Sequence, residues 1–197
     1  MYYLILGVAT IIIVAIAIYS NLLRNKVFNQ ANFQNLAKSM GITNPKPSFS
    51  LGKSQLAFWT VIIVSSFIFV YISASPQKFV SPVLDAVNLT LLGIAAGTTI
   101  LAKAIDNSQQ NNQGATIPQQ DYPSQGFLID ILSDENGVNI HRLQNVIWTV
   151  IVGAIYIAFV ATSMLLPTDK VITTQLLILM GISNGAYLGL KASENKS

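Results

Sequence analysis

The stretch YYLILGVATIIIVAIAIYSNLL, Tyr2–Leu23, contains no charged residue and is followed directly by Arg24. About 20 apolar residues are enough to cross the hydrocarbon core of a bilayer as an α-helix. A cleavable signal peptide would place basic residues before a shorter apolar core, whereas Met1 is followed here by two tyrosines. The stretch therefore predicts an uncleaved transmembrane helix, which we assign to residues 1–23.

Four further runs without charge have a length close to that of a bilayer span. They lie between Lys53 and Lys78, between Asp85 and Lys103, between Arg142 and Asp169, and between Lys170 and Lys191. Of the 197 residues, 52% are hydrophobic and 10% are charged, against about 25% charged in a typical soluble domain. The sequence therefore predicts an all-α integral membrane protein with five transmembrane helices.

The distribution of basic residues predicts how these helices are oriented. Cytoplasmic loops carry an excess of Lys and Arg. If the N-terminus lies outside, nine of the 11 basic residues are cytoplasmic and only Lys78 and Lys170 are external. We therefore expect an N-out, C-in protein of the cytoplasmic membrane.

Two parts of the chain repeat. KSQLAFWTVI, starting at Lys53, matches RLQNVIWTVI, starting at Arg142, at an offset of 89, and GIAAG at Gly93 matches GISNG at Gly181 at an offset of 88. This predicts two tandem helical hairpins, residues 54–104 and 142–192, followed by a short tail, 193–197. Because each hairpin enters and leaves on one side, we expect an approximate two-fold axis along the membrane normal.

Three motifs carry a resemblance to known proteins: FLIDILSDENG from Phe127, HRxQxxxWT from His141, and MGISxGxYLGxK from Met180. Together they resemble a widespread group of uncharacterised bacterial multi-pass membrane proteins with the same doubled pattern, over most of the chain after about Phe49. The resemblance implies a bacterial membrane protein and supports the repeat, but it implies no activity or ligand. The first copy lacks the Asp-Glu-Asn-Gly turn and has Lys53 in place of arginine.

The repeated motif also predicts anchors and polar contacts. In each copy a Trp follows a basic residue by six positions, a spacing that suits the bilayer interface, so we expect Lys53, Trp59, Arg142 and Trp148 to be interfacial anchors. An amide facing hydrocarbon would lack hydrogen-bond partners. We therefore expect the two motif glutamines to bond to another helix, or to an ion or ligand; they are Gln55 and Gln144.

Small residues recur at four-residue spacing in the third and fifth runs, a pattern that allows close approach of helices. They are Gly93, Gly97, Gly181, Gly185 and Gly189. We expect them to pack helices, within one chain or between subunits of a homo-oligomer; the alternative is that they line a conduction path or hinge a helix. Polar neighbours that could cross-link helices or line a narrow pore are Thr98, Thr99, Ser183 and Asn184.

The two longer cytoplasmic segments carry opposite charge. Residues 24–53 contain five basic residues and no acid, whereas residues 105–141 contain five acids and no Lys or Arg. The sequence predicts a flexible, acidic linker in 105–141 that ends in a short amphipathic helix. Four residues of that helix and its end are candidates for docking a partner, or the basic segment: Phe127, Asp130, Ile131 and Asp134.

The sequence lacks residue types or patterns on which several functional classes of protein depend. The chain has no Cys and only one His, His141, so we expect no metal site, no cofactor and no catalytic residue. No charged residue falls in the middle of a predicted span, which disfavours ion-coupled transport, and a net charge of +3 is too small for nucleic-acid binding. We favour a non-enzymatic membrane scaffold that recruits a cytoplasmic partner; the alternative is a homo-oligomeric channel or pore, including a toxic or defence effector.

Overall fold

The computed structural model describes residues 1–74, 82–111, 121–134 and 137–193. That part of the chain forms seven helices and one two-stranded antiparallel hairpin. The helices are α1 (Tyr2–Tyr19), α2 (Gln30–Ser39), α3 (Leu51–Ser73), α4 (Ala86–Asn111), α5 (Phe127–Leu132), α6 (Ile140–Ser163) and α7 (Thr174–Ser193). The strands are β1 (Ser133–Asp134) and β2 (Gly137–Val138).

Four helices of the described residues are long and apolar enough to cross a membrane: α1, α3, α4 as far as Ser108, and α6. Between 11% and 33% of their most apolar windows is buried inside the protein. The remaining apolar surface faces outward, which suits contact with lipid and not with water. The chain is therefore a helical, multi-pass membrane protein.

The core is a bundle of α3, α4, α6 and α7. Each hairpin keeps its two helices together, α3 with α4 and α6 with α7, while α3 also contacts α6 and α4 contacts α7. Side chains from all four helices fill the middle, and the largest, Trp59 and Tyr156, are at most 1% exposed. The bundle interior is therefore closely filled.

Helix α1 lies outside the bundle against α3. Its first turn is held by a hydrogen bond of 2.9 Å between the hydroxyls of Tyr2 and Ser66, and the Tyr2 ring lies 5.1 Å from the Phe69 ring. Most of the other large side chains of α1 are exposed. Because Tyr2 begins α1 and Ser66 lies late in α3, the two helices are antiparallel.

The segments outside the bundle fold into a small unit, which we call the cap: residues 20–50, 121–134 and 137–139. Its helix α2 was not expected from the sequence. Asn29 begins it by accepting hydrogen bonds from the backbone N–H groups of Ala31 and Asn32, and the helix buries Phe33 and Ala37. The basic segment is therefore partly helical and has its own apolar side.

The linker is shorter than expected. Helix α4 continues to Asn111, past the expected boundary at residue 104. Asp106, in this additional part of the helix, forms a 2.8 Å ion pair with Lys191 of α7. Residues 121–125 pack in the cap, while residues 112–120 lie outside the described part of the chain, as do 75–81 in the expected outer loop and 194–197 in the tail.

The predicted amphipathic helix corresponds to α5. It ends at Leu132 and is followed directly by the β1–β2 hairpin, where Gly137 has a φ of 102°, a conformation that favours glycine. Residues 135 and 136, between the two strands, lie outside the described residues. Helix α6 then begins at Ile140 and is capped by Asn139, whose side chain accepts a hydrogen bond from the N–H of His141.

Candidate functional site

A chain of hydrogen-bonded side chains crosses the bundle on the side of the cap, and we call it the polar chain. It consists of Gln55 on α3, Asn145 and Thr149 on α6, Asn184 on α7 and Thr98 on α4. The Gln55 amide donates to Asn145 Oδ1 at 2.6 Å and to Thr149 Oγ1 at 2.8 Å. Asn184 Oδ1 accepts from Asn145 Nδ2 at 3.2 Å and from Thr98 Oγ1 at 2.9 Å.

All five side chains of the polar chain are buried. Three of them, Gln55, Thr98 and Asn184, are among the polar residues selected from the sequence. Within the polar chain, Gln55 Oε1 is buried without a hydrogen-bond partner, and the other amide and hydroxyl groups bond to one another or to helix carbonyls. Such a set holds helices in one arrangement, since buried polar groups in a membrane bond to one another or remain unsatisfied.

The second motif glutamine, Gln144, is not part of the polar chain. Gln144 is exposed, and its neighbour Asn145 is buried in its place. The residues buried in α3, such as Gln55 and Ile62, recur as buried residues 90 positions later in α6, at Asn145 and Val152. The sequence motif itself recurs 89 positions later, so the buried positions are shifted by one residue relative to the motif. One residue turns a helix by about 100°, so the two copies of the motif present different residues to the interior.

The same shift is found in the other pair of helices. The buried residues Leu91 and Thr98 of α4 recur 89 positions later in α7 as the buried residues Met180 and Tyr187. The glycine motif recurs after 88 positions, so here too the buried positions are shifted by one residue. Both helices of the second hairpin are thus rotated in the same sense relative to the motif.

The expected anchors also differ from one another. Trp59 is 1% exposed and lies against the rings of Phe58 and Tyr156, with ring centroids 5.3 and 6.3 Å away. Trp148 is half-buried. Trp59 therefore fills the bundle interior and does not sit at a lipid-facing interface, because it follows Gln55 by one helical turn on the same inward face.

The two basic motif residues lie where the bundle meets the cap. Arg142 is 5% exposed, with its guanidinium carbon 5.1 Å from the centroid of the Tyr187 ring. Lys53 donates from Nζ to the backbone carbonyl of Arg24 at 2.6 Å. These cations therefore join the helix ends to one another and to the cap.

A second polar contact lies near the opposite end of the bundle. The Tyr156 hydroxyl donates to Asn88 Oδ1 at 2.5 Å, and Asn88 Nδ2 donates to the Pro167 carbonyl at 3.4 Å. Asn88 is fully buried. The contact ties the start of α4 to the end of α6, so the two hairpins are bonded at both ends.

Two aspartates close the cap by accepting backbone N–H groups from the basic segment. Asp121 accepts from Phe28 at 2.6 Å and from Asn29 at 3.0 Å. Asp130 accepts from Phe49 at 3.0 Å. Burial raises the pKa of Asp121, an effect that its two backbone hydrogen bonds only partly offset. The acidic segment thus docks on the basic one mainly through carboxylate-to-backbone hydrogen bonds.

The candidate docking residues divide into two groups. Asp130 and Ile131 are 9% and 4% exposed and face the chain's own interior. Phe127 is 43% exposed, and its ring meets the Phe49 ring edge-on at 5.2 Å. Asp134 is half-buried and accepts a hydrogen bond from the Asn139 amide. The outward side of α5 is therefore Phe127 with Leu128 and Ile129.

The five candidate packing glycines have open space beside them. A Cβ added at Gly93, Gly97, Gly181, Gly185 or Gly189 would meet no heavy atom within 4 Å. The glycines that do allow close packing between helices are Gly153, where a Cβ would overlap the Phe58 ring, and Gly52, where a Cβ would lie 3.2 Å from Thr99 Cα. Among the remaining selected residues, Thr99 donates to the Ala95 carbonyl at 2.9 Å, and Ser183 is 3% exposed.

Within the described residues, no group of three or more His, Asp or Glu side chains is placed to hold a metal ion. The clusters that the structure does form are amides, hydroxyls and backbone-bound carboxylates, which can fix helices and present surfaces. No protein-family model, curated protein or solved structure matches this chain.

Proposed function

We propose that this protein is a non-enzymatic scaffold of the bacterial cytoplasmic membrane, built of five transmembrane helices and recruiting a cytoplasmic partner through its cap. The observation that carries the proposal is the cap itself. Two segments far apart in sequence are joined through Asp121 and Asp130, and α2 and α5 are held in fixed positions. A defined surface at the mouth of a membrane bundle suits recruitment.

The bundle interior supports a scaffold over a channel within one chain. Trp59, Leu91, Val152 and Tyr156 are at most 1% exposed and lie where a conduit would run. The polar chain is bonded side chain to side chain. A water-filled path would instead need polar groups left open to solvent.

The positions of the helix ends support five spans. Arg24, which follows α1, pairs with Phe49 before α3, and Lys191 near the end of α7 bonds Asp106 near the end of α4. The five long helices therefore alternate in direction, with the cap at one end. We assign that end to the cytoplasm because eight of the nine basic residues that the structure describes fall there.

This topology is tested by reporter fusions. A reporter joined after Ser197 should be active only as a cytoplasmic fusion, and one inserted in residues 76–82 only as an external fusion. The reverse pattern would contradict the orientation, and two reporters on the same side would contradict an odd number of spans between them.

The tandem repeat is the proposed origin of the bundle, in line with the resemblance to doubled bacterial membrane proteins. The repeat is supported by the buried residues of α3 and α4, which recur as buried residues at constant offsets in α6 and α7. The one-residue shift relative to the motif shows that the two hairpins pack differently.

The scaffold and channel functions are separated by reconstitution. Purified protein in liposomes should leave ion conductance at the level of protein-free liposomes. Conductance that rises with protein density, and that changes in a Thr98→Val or Asn184→Leu variant, would overturn the scaffold proposal in favour of a pore.

Recruitment is tested separately, at the outward side of α5. A photo-crosslinking side chain in place of Leu128, which is 64% exposed, should join a cytoplasmic protein in cells. The matched control is Leu165, 61% exposed beyond the end of α6. Adducts of Leu128 with lipid alone would assign α5 to the membrane surface and remove its role in recruitment.

A further inference from the structure

A pocket of about 470 Å³ lies in the cap, at the start of α3. Three cations line it, Arg24, Lys26 and Lys53, together with uncharged amide side chains such as Asn21 and Gln30. No acidic residue is among its lining residues. We call it the basic pocket.

The positive charge of the basic pocket is not neutralised by ion pairs. In the part of the chain that the structure describes, none of its three cations pairs with a carboxylate. Arg24 donates to the Pro47 carbonyl and stacks 3.9 Å from the Phe49 ring. These contacts use only part of the five guanidinium N–H groups, so donors remain for an anion.

Burial also lowers the pKa of Arg24, an effect that the charge of Asp130 only partly offsets. An added anion in the pocket would therefore stabilise the guanidinium charge.

The position of the basic pocket selects the kind of anion. Arg24 follows the end of α1 by five residues, and Lys53 lies two residues after the start of α3. Basic residues at helix ends lie at the level of the lipid headgroups. The pocket therefore faces the phosphate layer of the bilayer.

An apolar groove of about 260 Å³ runs along the same two helices. Its lining includes Leu6 and Ile13 of α1 and Ala57 and Val61 of α3. Towards the cap it is lined by Leu23 and Ser54, which precede Arg24 and follow Lys53 directly in the chain.

We propose that the basic pocket and the apolar groove together bind one anionic phospholipid, with the headgroup phosphate among Arg24, Lys26 and Lys53 and an acyl chain between α1 and α3. This site is independent of the scaffold function, since it needs no protein partner. It adds a lipid contact between α1 and α3 near the cap, beside the direct packing of α1 on α3.

The test is lipid titration of delipidated full-length protein in neutral detergent, following the midpoint of thermal unfolding. Dioleoylphosphatidylglycerol should raise the midpoint, while dioleoylphosphatidylcholine, with the same chains, should have a much smaller effect. The double variant Lys26→Gln with Lys53→Gln should weaken apparent affinity for the anionic lipid about 30-fold. Because Lys53 also bonds the Arg24 carbonyl, Lys26→Gln alone is included, with about a fivefold loss expected.

The matched control is Lys38→Gln with Lys46→Gln, which removes the same charge from exposed residues of the same segment outside the pocket. Its affinity should stay within about twofold of the original. Equal losses in the two double variants would mean diffuse attraction to the cap and would overturn the proposal.

Inorganic phosphate at the same concentration distinguishes a soluble anion from a lipid. A response equal to that of the anionic lipid would assign the pocket to free phosphate and overturn the lipid assignment. Equal effects of the two lipids would overturn the role of the cations. Ala57→Phe, which fills the groove, should weaken lipid binding, and an unchanged lipid affinity would exclude the groove.

Discussion

At the scale of single residues, the polar side chains that fix the bundle were only partly predictable. Gln55, Thr98 and Asn184 were selected because an amide or hydroxyl inside a membrane needs a partner. Asn145 was missed because the doubled motif aligned Gln144 with Gln55, and alignment reports identity without reporting which face is buried. The signal available in the sequence was the pair Asn145 and Thr149, four residues apart and therefore on one side of a helix.

The two neighbours provide a direct test of the polar chain. Asn145→Leu removes hydrogen bonds to Gln55 and Asn184, so we expect a loss of about 1–2 kcal/mol and a fall of about 2–8 °C in the unfolding midpoint in detergent. Gln144→Leu makes the same chemical change at an exposed position and should alter stability by at most about 0.5 kcal/mol. Equal effects of the two variants would show that the polar chain does not stabilise the bundle.

Gly153 illustrates what sequence cannot show about packing. It belongs to no spaced pair of glycines, yet Phe58 of the neighbouring helix occupies the space where its side chain would lie. Close approach depends on which residue faces the glycine, and that is set by helix rotation.

Adding one methyl group there tests this contact. Gly153→Ala should destabilise the protein by about 1–3 kcal/mol through overpacking, measured as the midpoint of thermal unfolding. Combining it with Phe58→Leu should recover part of the loss, because the smaller side chain makes room for the Cβ. Additive losses in the double variant would contradict the proposed clash.

At the scale of elements, the sequence analysis predicts α5 and does not predict α2, although both have local signals. The apolar run at Phe127 marks a short helix even in an acidic linker. The charge of the basic segment does not indicate a helix, but its sequence does: Asn29 is a capping residue, and Phe33, Leu36 and Ala37 follow at i, i+3, i+4 spacing. The long-range contacts of Asp121 have no local signal, because they join backbone groups 92 and 93 residues away.

Docking of the cap is expected to depend on the shape of Asp121 more than on its charge. Asp121→Ala removes both acceptors and should expose Lys26 and Lys38 to trypsin at least several-fold faster. Asp121→Asn should have a smaller effect, because burial raises the pKa of this carboxyl and a neutral side chain that keeps one acceptor avoids that cost. If the alanine and asparagine variants were cleaved equally fast, and faster than the unaltered protein, the charge of Asp121 would be the essential feature. If neither variant were cleaved faster than the unaltered protein, Asp121 would not hold the cap.

At the scale of the whole molecule, hydropathy predicted the four helices that are long and apolar enough to cross a membrane, since span length and lack of charge are local properties. Helix α7 is the least clear case, because Asn184 and Lys191 lower its hydropathy, and it is not among the four helices recognised by length and composition. Its polar residues are used inside the bundle: Asn184 joins the polar chain and Lys191 pairs with Asp106. The arrangement of the helices around one another follows from these contacts, which hydropathy does not encode.

The last prediction concerns self-association, for which the glycines of α7 are the best-placed residues. Gly185 and Gly189 are exposed, with no heavy atom of the chain within 4 Å of an added Cβ, so the close approach that small residues permit would involve a second copy. We expect an oligomer in mild detergent, measured by light scattering on a sizing column, and its conversion to monomer by Gly185→Leu with Gly189→Leu. Gly7→Leu on α1, a glycine with equally open surroundings, is the control and should leave the oligomer intact. If the unaltered protein were monomeric at every detergent concentration, self-association would be ruled out. If the oligomer persisted in the α7 double variant, the contact between copies would lie on another helix.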